Sequence, residues 1–212
     1  MKAILTDSEK RLHWQEVPDP VPGEDDVLIK IHAAALNRAD LMQREGDYPP
    51  PPGCPKWMGL EVSGVIEQMG NGAASKSGLK AGDRVCALLG GGGYAEYVSV
   101  RYDMLMPVPS GCSMVEAAAM PEAFATAYLN LFYEAKIREG DTLLMFAGSS
   151  GLASVVIPMA KAFGIRVLTT VSSESRKNAI SHLGADRIIN LAEENLVEIL
   201  KQQLQEGHPV DV

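Results

Sequence analysis

The residues from Ala147 to Ala153, AGSSGLA, have the types and spacing to bind a pyrophosphate. An apolar run, Leu143 to Phe146, enters this small-residue turn as a buried parallel strand, and Ser154 to Phe163 leaves it as a helix closed by Gly164. A backbone with so little side chain lets an anion approach unpaired N–H groups and the positive end of the helix dipole. Gly148, Ser149, Ser150, Gly151, Leu152 and Ala153 are therefore the candidate cradle of a dinucleotide's pyrophosphate. The alternative is an ordinary tight turn between a strand and a helix. The next strand, RVLTTV, ends at Val171 and is followed by Ser172 and Ser173, where an NAD-specific unit carries a carboxylate for the ribose hydroxyls. Here Ser173 supplies a hydroxyl, and Arg176 and Lys177 supply two cations. That donor set suits a phosphate dianion and favours NADPH over NADH, unless Arg176 and Lys177 only form a solvated helix face.

Such a site must be positioned by a βαβ unit, and the sequence supplies one. From Gly140 the elements alternate: a strand from Thr142, a helix from Ser150, a strand from Arg166, a helix from Ser175 ending at Gly184, and a strand at Arg187 to Asn190. A helix from Ala192 to Gln205 follows, and the closing VDV reads as the opening of a fourth strand. A doubly wound dinucleotide fold needs two such halves, so residues 113–212 are expected to form a partial, C-terminally truncated version of it. Residues 1–112 read instead as short strands between turn signals: AILT, DVLIKIHAAAL, LEVSGVIEQMG, DRVCALLG and GYAEYVSV, a compact, barrel-like β domain. Pro18, Pro20 and Pro22 keep the segment after Trp14 extended, and Pro49 to Pro52 do the same for an exposed loop. Ser113 and Glu116 have capping-box spacing, and Pro121 breaks or restarts the helix that continues through Tyr133.

With 212 residues, 46% of them hydrophobic and 22% charged, the chain can bury one large core or two modest ones. A net charge of −8, with no basic cluster interleaved with aromatics, argues against a nucleic-acid partner. The opening MKAILTDSEK turns polar after three apolar residues, so neither a signal peptide nor a membrane span is expected and a cytoplasmic location is the default. Cys54, Cys86 and Cys112 are odd in number and widely spaced, which fits reduced thiols and neither a disulfide framework nor a zinc site. Cys54, in the proline-rich loop, is expected to be the only exposed one.

Several motifs, in order, resemble the zinc-independent medium-chain dehydrogenases/reductases, and within them the NADPH:quinone oxidoreductases. They are NRADLMQ at Asn37 to Gln43, Gly46 and Tyr48 before the prolines, and G-x-E-x-x-G-x5-G at Gly59, Glu61, Gly64 and Gly70. GDRV at Gly82, GGGYAEYV at Gly91, PEAFATAY at Pro121 and AGSSGLAS at Ala147 continue the series. The resemblance implies a GroES-like β-barrel catalytic domain followed by a Rossmann domain, and hydride transfer from NADPH to a small-molecule quinone. Reduction of an enone or alkenal double bond, or an inactive truncated form that only binds cofactor or a partner, are the alternatives. Zinc-dependent relatives place a Cys near position 37 and a His before the motif glutamate; here Asn37 and Leu60 stand there, so no metal is expected. The resemblance further implies that Asn37 and Asp40 lie near the nicotinamide and that Thr126 contacts its ribose or carboxamide side. Tyr48 would line the quinone pocket, or else be a loop tyrosine packed on prolines. Gly148 to Ala153 would hold the pyrophosphate, and Ser173 with Arg176 the ribose phosphate.

The sequence also departs from the family. Ser150 and Ala153 stand where its glycine turn has glycines, Leu191 replaces a tyrosine often found near the adenosine phosphate, and Pro158 is expected to kink the cofactor helix. A homodimer is expected of the complete family fold, but the truncation puts it in doubt for this chain, because the usual pairing edge lies in the absent second half.

Overall fold

Alternating burial builds the sheet of the first unit. In β3 (Asp26–Ala34), Val27 and Ile29 are fully buried while Lys30 faces water. β3 is flanked by β4 (Glu61–Met69) and β6 (Tyr97–Arg101), and β5 (Arg84–Leu88) and β7 (Leu105–Pro107) extend the far edge. The sheet is antiparallel throughout, in the order β6-β3-β4-β5-β7. Val27, Ile29, Val62, Ile66, Val85, Ala87 and Val98 form its core. A hairpin of β1 (Lys2–Thr6) and β2 (Leu12–Glu16) joins the sheet's loop through the Ala3–Ala95 bridge and Ile4 N–H donating to Tyr94 C=O at 2.8 Å. Every residue of β2 is exposed, so it lacks the apolar alternation by which the other strands are read.

Asp7 organises the hairpin's turn, accepting from the N–H groups of Glu9 and Arg11 and bonding the Arg11 guanidinium and the His13 imidazole. These bonds, led by the Arg11 N–H, lower its pKa from 3.8 to about 2. A folded-state pKa below the unfolded value stabilises the hairpin above pH 3.8, and that contribution is lost as pH falls toward 2. NMR signals of residues 7–13 are therefore expected to lose their folded shifts between pH 4 and 2, before those of the sheet core.

Three helices complete this unit: α1 (Arg38–Glu45), α2 (Asn71–Ser77) and α3 (Met114–Ala118). Ser113 and Glu116 form the expected capping box at α3, where Ser113 Oγ accepts from Glu116 N–H at 3.2 Å and Glu116 Oε2 accepts from Ser113 N–H at 2.8 Å. Ala117 and Ala118 are buried, and Ser63 Oγ on β4 donates to Met114 C=O at 2.5 Å. Residues 113–122, which the capping-box spacing at Ser113 assigns to the second domain, thus lie with the first. The two compact units, which together describe residues 1–212 in this computed structural model, divide between Glu122 and Ala123. Cys86 is buried, as expected, but Cys112 is partly exposed as well as Cys54, because it lies in the turn that leads into α3.

The second unit is a parallel sheet in the order β10-β9-β8, from β8 (Thr142–Met145), β9 (Arg166–Val171) and β10 (Arg187–Asn190). On the free side of β8, Asp211 N–H donates to Thr142 C=O at 2.9 Å and Leu144 N–H to Val212 C=O at 2.8 Å. The closing residues therefore pair where the fourth strand of a doubly wound sheet lies. α4 (Pro121–Tyr128) starts at Pro121, whose missing N–H costs nothing there, and its chain continues as a π-helical stretch over Leu129–Glu134. α5 (Ala153–Ala162) buries Ala153, Val156, Ile157 and Ala160 against Leu143, Ile165 and Val167, and it is continuous across Pro158. Gly164 takes φ +71° just beyond it, as a helix-ending glycine does. α6 (Glu174–Ile180) passes through a 3-10 turn to Gly184. α7 (Leu196–Gln205) starts later than Ala192, because Asn195 Oδ1 caps it by accepting from Val197 N–H at 3.0 Å and Glu198 N–H at 3.4 Å. No helix is long and apolar enough to cross a membrane.

Candidate functional site

In the second unit the candidate cradle is anchored to β9. Ala147, at φ +53°, turns the chain out of β8; its N–H donates to Thr170 Oγ1 at 3.3 Å, and Gly148 N–H donates to Thr170 C=O at 2.8 Å. Gly148 has no room for a side chain: a Cβ there would overlap Thr169 Oγ1 and lie 2.9 Å from Thr169 Cγ2 and 3.0 Å from Ile180 Cδ1. Gly151 faces open space instead. Ser150 N–H folds back to Ala147 C=O at 2.9 Å, and Ser150 Oγ accepts from Ala153 N–H at 3.2 Å. The N–H groups of Ser149, Gly151 and Leu152 donate to nothing in the chain. These three donors at the start of α5 can serve an anion, while Ser150 satisfies a fourth itself.

The ribose-phosphate candidates converge on the same turn. Ser173 caps α6, its Oγ accepting from Arg176 N–H at 3.4 Å, and Arg176 Nη1 reaches across to Ser149 Oγ at 3.0 Å. Arg176 is exposed and pairs with no carboxylate, whereas Lys177 lies 3.8 Å from Glu174. Arg176 is therefore the free cation beside the turn. Thr126 and Leu152 line a cavity of about 420 Å³ with Asn130, Leu131, Met145 and Val156.

In the first unit, Asn37 precedes α1 in extended conformation (φ −121°, ψ 155°). Its backbone N–H donates to Asp40 Oδ2 at 2.7 Å, and its Nδ2 donates to Glu61 Oε1 at 2.8 Å. Asp40 is only 4% exposed and also accepts from Gly59 N–H at 3.2 Å and from the Tyr94 hydroxyl at 2.8 Å. Glu61 is 2% exposed, and its second oxygen accepts from Glu122 N–H at 2.9 Å. Both carboxylates are held by uncharged donors. Burial and then the bond to Asp40 push the Tyr94 phenol far up, and burial followed by the charges of Glu61 and Asp40 raises Glu122. Tyr48 stands apart on its loop, 47% exposed. The structure thus joins Asn37 to Asp40 and Glu61, and joins Ser149 to Ser173 and Arg176. Tyr94, Thr169, Thr170 and Glu122 support these clusters without any sign of it in the sequence pattern. Tyr94 lies within GGGYAEYV, but nothing local signals that its hydroxyl is aimed at Asp40.

These two arrangements, a GroES-like β domain and the first half of a Rossmann sheet, define a class. Residues 23–110 match the model of the alcohol dehydrogenase GroES-like domain. The chain belongs to the medium-chain dehydrogenase/reductase family. It is 34% identical over 190 residues to quinone oxidoreductase of Mus musculus, a match covering 89% of this chain and 56% of that protein. Among solved structures it resembles Escherichia coli quinone oxidoreductase complexed with NADPH, at 28% identity and TM-score 0.80, covering 99% of this chain and 63% of that one. An NAD-dependent alcohol dehydrogenase is 30% identical with TM-score 0.83, covering 98% of this chain and 68% of that one. The chain spans little more than half the length of its curated quinone oxidoreductase relatives.

Proposed function

We propose that this chain carries the NADPH-binding and substrate residues of an oxidoreductase that transfers hydride to a quinone without zinc. The observation that carries this reading is the row of unpaired N–H groups at Ser149, Gly151 and Leu152 beside the guanidinium of Arg176, which reaches Ser149 Oγ and pairs with no carboxylate. The first can bind a pyrophosphate and the second, with Ser173, a ribose phosphate. NADPH, when bound, supplies the hydride. Asn37 and Thr126 would orient its nicotinamide portion, Asp40 would hold Asn37 in place, and Tyr48 would contact the acceptor. A reaction without zinc fits the side chains at these positions: Leu60 is an alkyl side chain, and Asn37 offers neither a thiolate nor an imidazole. An acceptor that is already electron-poor needs no Lewis acid, and orientation does most of what the protein contributes.

The test is NADPH binding and oxidation, with NADH as the paired control and an ortho-quinone or an enone as acceptor. Binding that favours NADPH, with quinone-dependent oxidation, is the expected result. Faster turnover of the enone would move the substrate to activated double bonds, and absence of NADPH binding would overturn the reading. Arg176→Ala is expected to cut the preference for NADPH over NADH by about 10–100-fold, the worth of one or two charge-assisted hydrogen bonds. It should leave the melting temperature unchanged, since the exposed Arg176 side chain reaches only Ser149.

A further inference from the structure

Asn37 is gripped by two buried carboxylates, and that grip decides which end of its amide is available. Glu61 Oε1 lies 2.8 Å from Asn37 Nδ2, and Glu61 Oε2 accepts from Glu122 N–H at 2.9 Å. A carboxylate only accepts, so the amide edge facing Glu61 must be the NH2 group. Glu61 is 2% exposed, and its second bond pins it from the other side. Asp40 fixes the Asn37 backbone in turn, through the 2.7 Å bond to its N–H. Asn37 itself is partly exposed, and its Oδ1 faces the Asp40 N–H in the capping box of α1 while keeping a second lone pair for a ligand.

We infer that Glu61 is a positioning residue that presents Asn37 to the ligand as a hydrogen-bond acceptor, so that the group meeting Asn37 is an N–H or O–H donor. This rests on the NADPH reading above and refines it. A quinone offers only acceptor oxygens, so Asn37 does not polarise the substrate carbonyl. It serves the cofactor, whose carboxamide NH2 and ribose hydroxyls are donors.

The inference makes Glu61→Gln informative. The introduced amide keeps both of its own partners if its oxygen accepts from Glu122 N–H and its NH2 donates to Asn37 Oδ1, which turns the Asn37 NH2 toward the ligand and leaves Asp40 N–H its bond to Asn37 C=O at 3.1 Å. An acceptor face becomes a donor face with the fold intact. Adding Asn37→Asp restores the acceptor: one oxygen of the new carboxylate takes the NH2 introduced by Glu61→Gln, the other faces the ligand, and the total charge equals that of the natural pair. NADPH affinity, read from the cofactor's fluorescence, is expected to fall about 10-fold in Glu61→Gln and to return within about 3-fold in the double variant. A Glu61 that only supports the fold predicts no such rescue, and a double variant as weak as Glu61→Gln overturns the inference. The 3-acetylpyridine analogue, which lacks the carboxamide donor, separates the two sources: weaker binding by the natural protein assigns the carboxamide, and equal binding assigns a ribose hydroxyl.

A second readout needs no cofactor. By NMR the Asn37 side-chain NH2 should exchange slowly in the natural protein and faster in Glu61→Gln. Equal, rapid exchange in both overturns the inference even where NADPH binds. A natural protein that fails to bind NADPH would overturn the cofactor reading alone and leave this exchange comparison to decide the positioning role.

Discussion

Gly148→Ala is expected to destabilise the second unit by about 2–4 kcal/mol and abolish NADPH binding, combining an overpacked contact with a lost hydrogen bond. The added methyl overlaps Thr169 Oγ1, which is itself committed to Met145 C=O at 2.7 Å, and it presses on Ile180 Cδ1. Thr169 is fully buried and has nowhere to move. The turn must lift off β9, breaking the 2.8 Å bond from Gly148 N–H to Thr170 C=O and displacing the donors at Ser149 and Gly151. Gly151→Ala is the control. Its methyl enters open space, so stability should hold, while the methyl stands where an anion must approach the backbone and weakens NADPH binding about 10-fold. Thermal melts paired with NADPH titrations separate the two glycines. A Gly148→Ala protein as stable as the natural one would show that packing on β9 does not hold the turn.

The second large effect belongs to Asp40. Replacing it with alanine strands the Asn37 N–H and the Gly59 N–H and leaves the Tyr94 hydroxyl only the Ala35 C=O at 3.2 Å, and it is expected to cost about 3–5 kcal/mol of the first unit's stability. Tyr94→Phe removes only one donor and leaves the carboxylate two others, so its cost should be about 1 kcal/mol. Gly59 explains why the site tolerates little rearrangement: it sits at φ +106°, and a Cβ there would overlap Tyr94 N and lie 2.6 Å from Gly93 Cα. Urea denaturation of the three proteins gives the comparison. Similar costs for Asp40→Ala and Tyr94→Phe would mean that the Tyr94 bond alone matters and that the two backbone donors find water.

How much of this is legible in the sequence follows from which interactions are local. The capping box at Ser113 and Glu116 spans three residues, and its chemistry is complete within them. The turn at Ala147 to Ala153 and the strands on either side form a continuous apolar and small-residue pattern, and the order of parallel strands then brings Arg176 to Ser149. β2 escapes such a reading because a strand exposed on every residue has no buried face to betray it. The late start of α7 escapes it because residues 192–194 carry helix-forming side chains, yet Asn195 supplies the stronger N-cap.

Asp40 marks the limit most clearly. The resemblance places it near the nicotinamide, and the chain around it carries no sign that it is 4% exposed. Its partners Gly59 and Tyr94 lie 19 and 54 residues away, and Glu61 meets Glu122 across 61. By itself the sequence determined the backbone periods, the turns and the small-residue turn ahead of α5 in the second unit, because those depend on side-chain size and spacing over a few residues. Only the tertiary structure decided that Asp40 and Glu61 are buried supports and that Asn37 shows its carbonyl. The direction of a buried hydrogen bond depends on which distant donors the packed sheet brings to it.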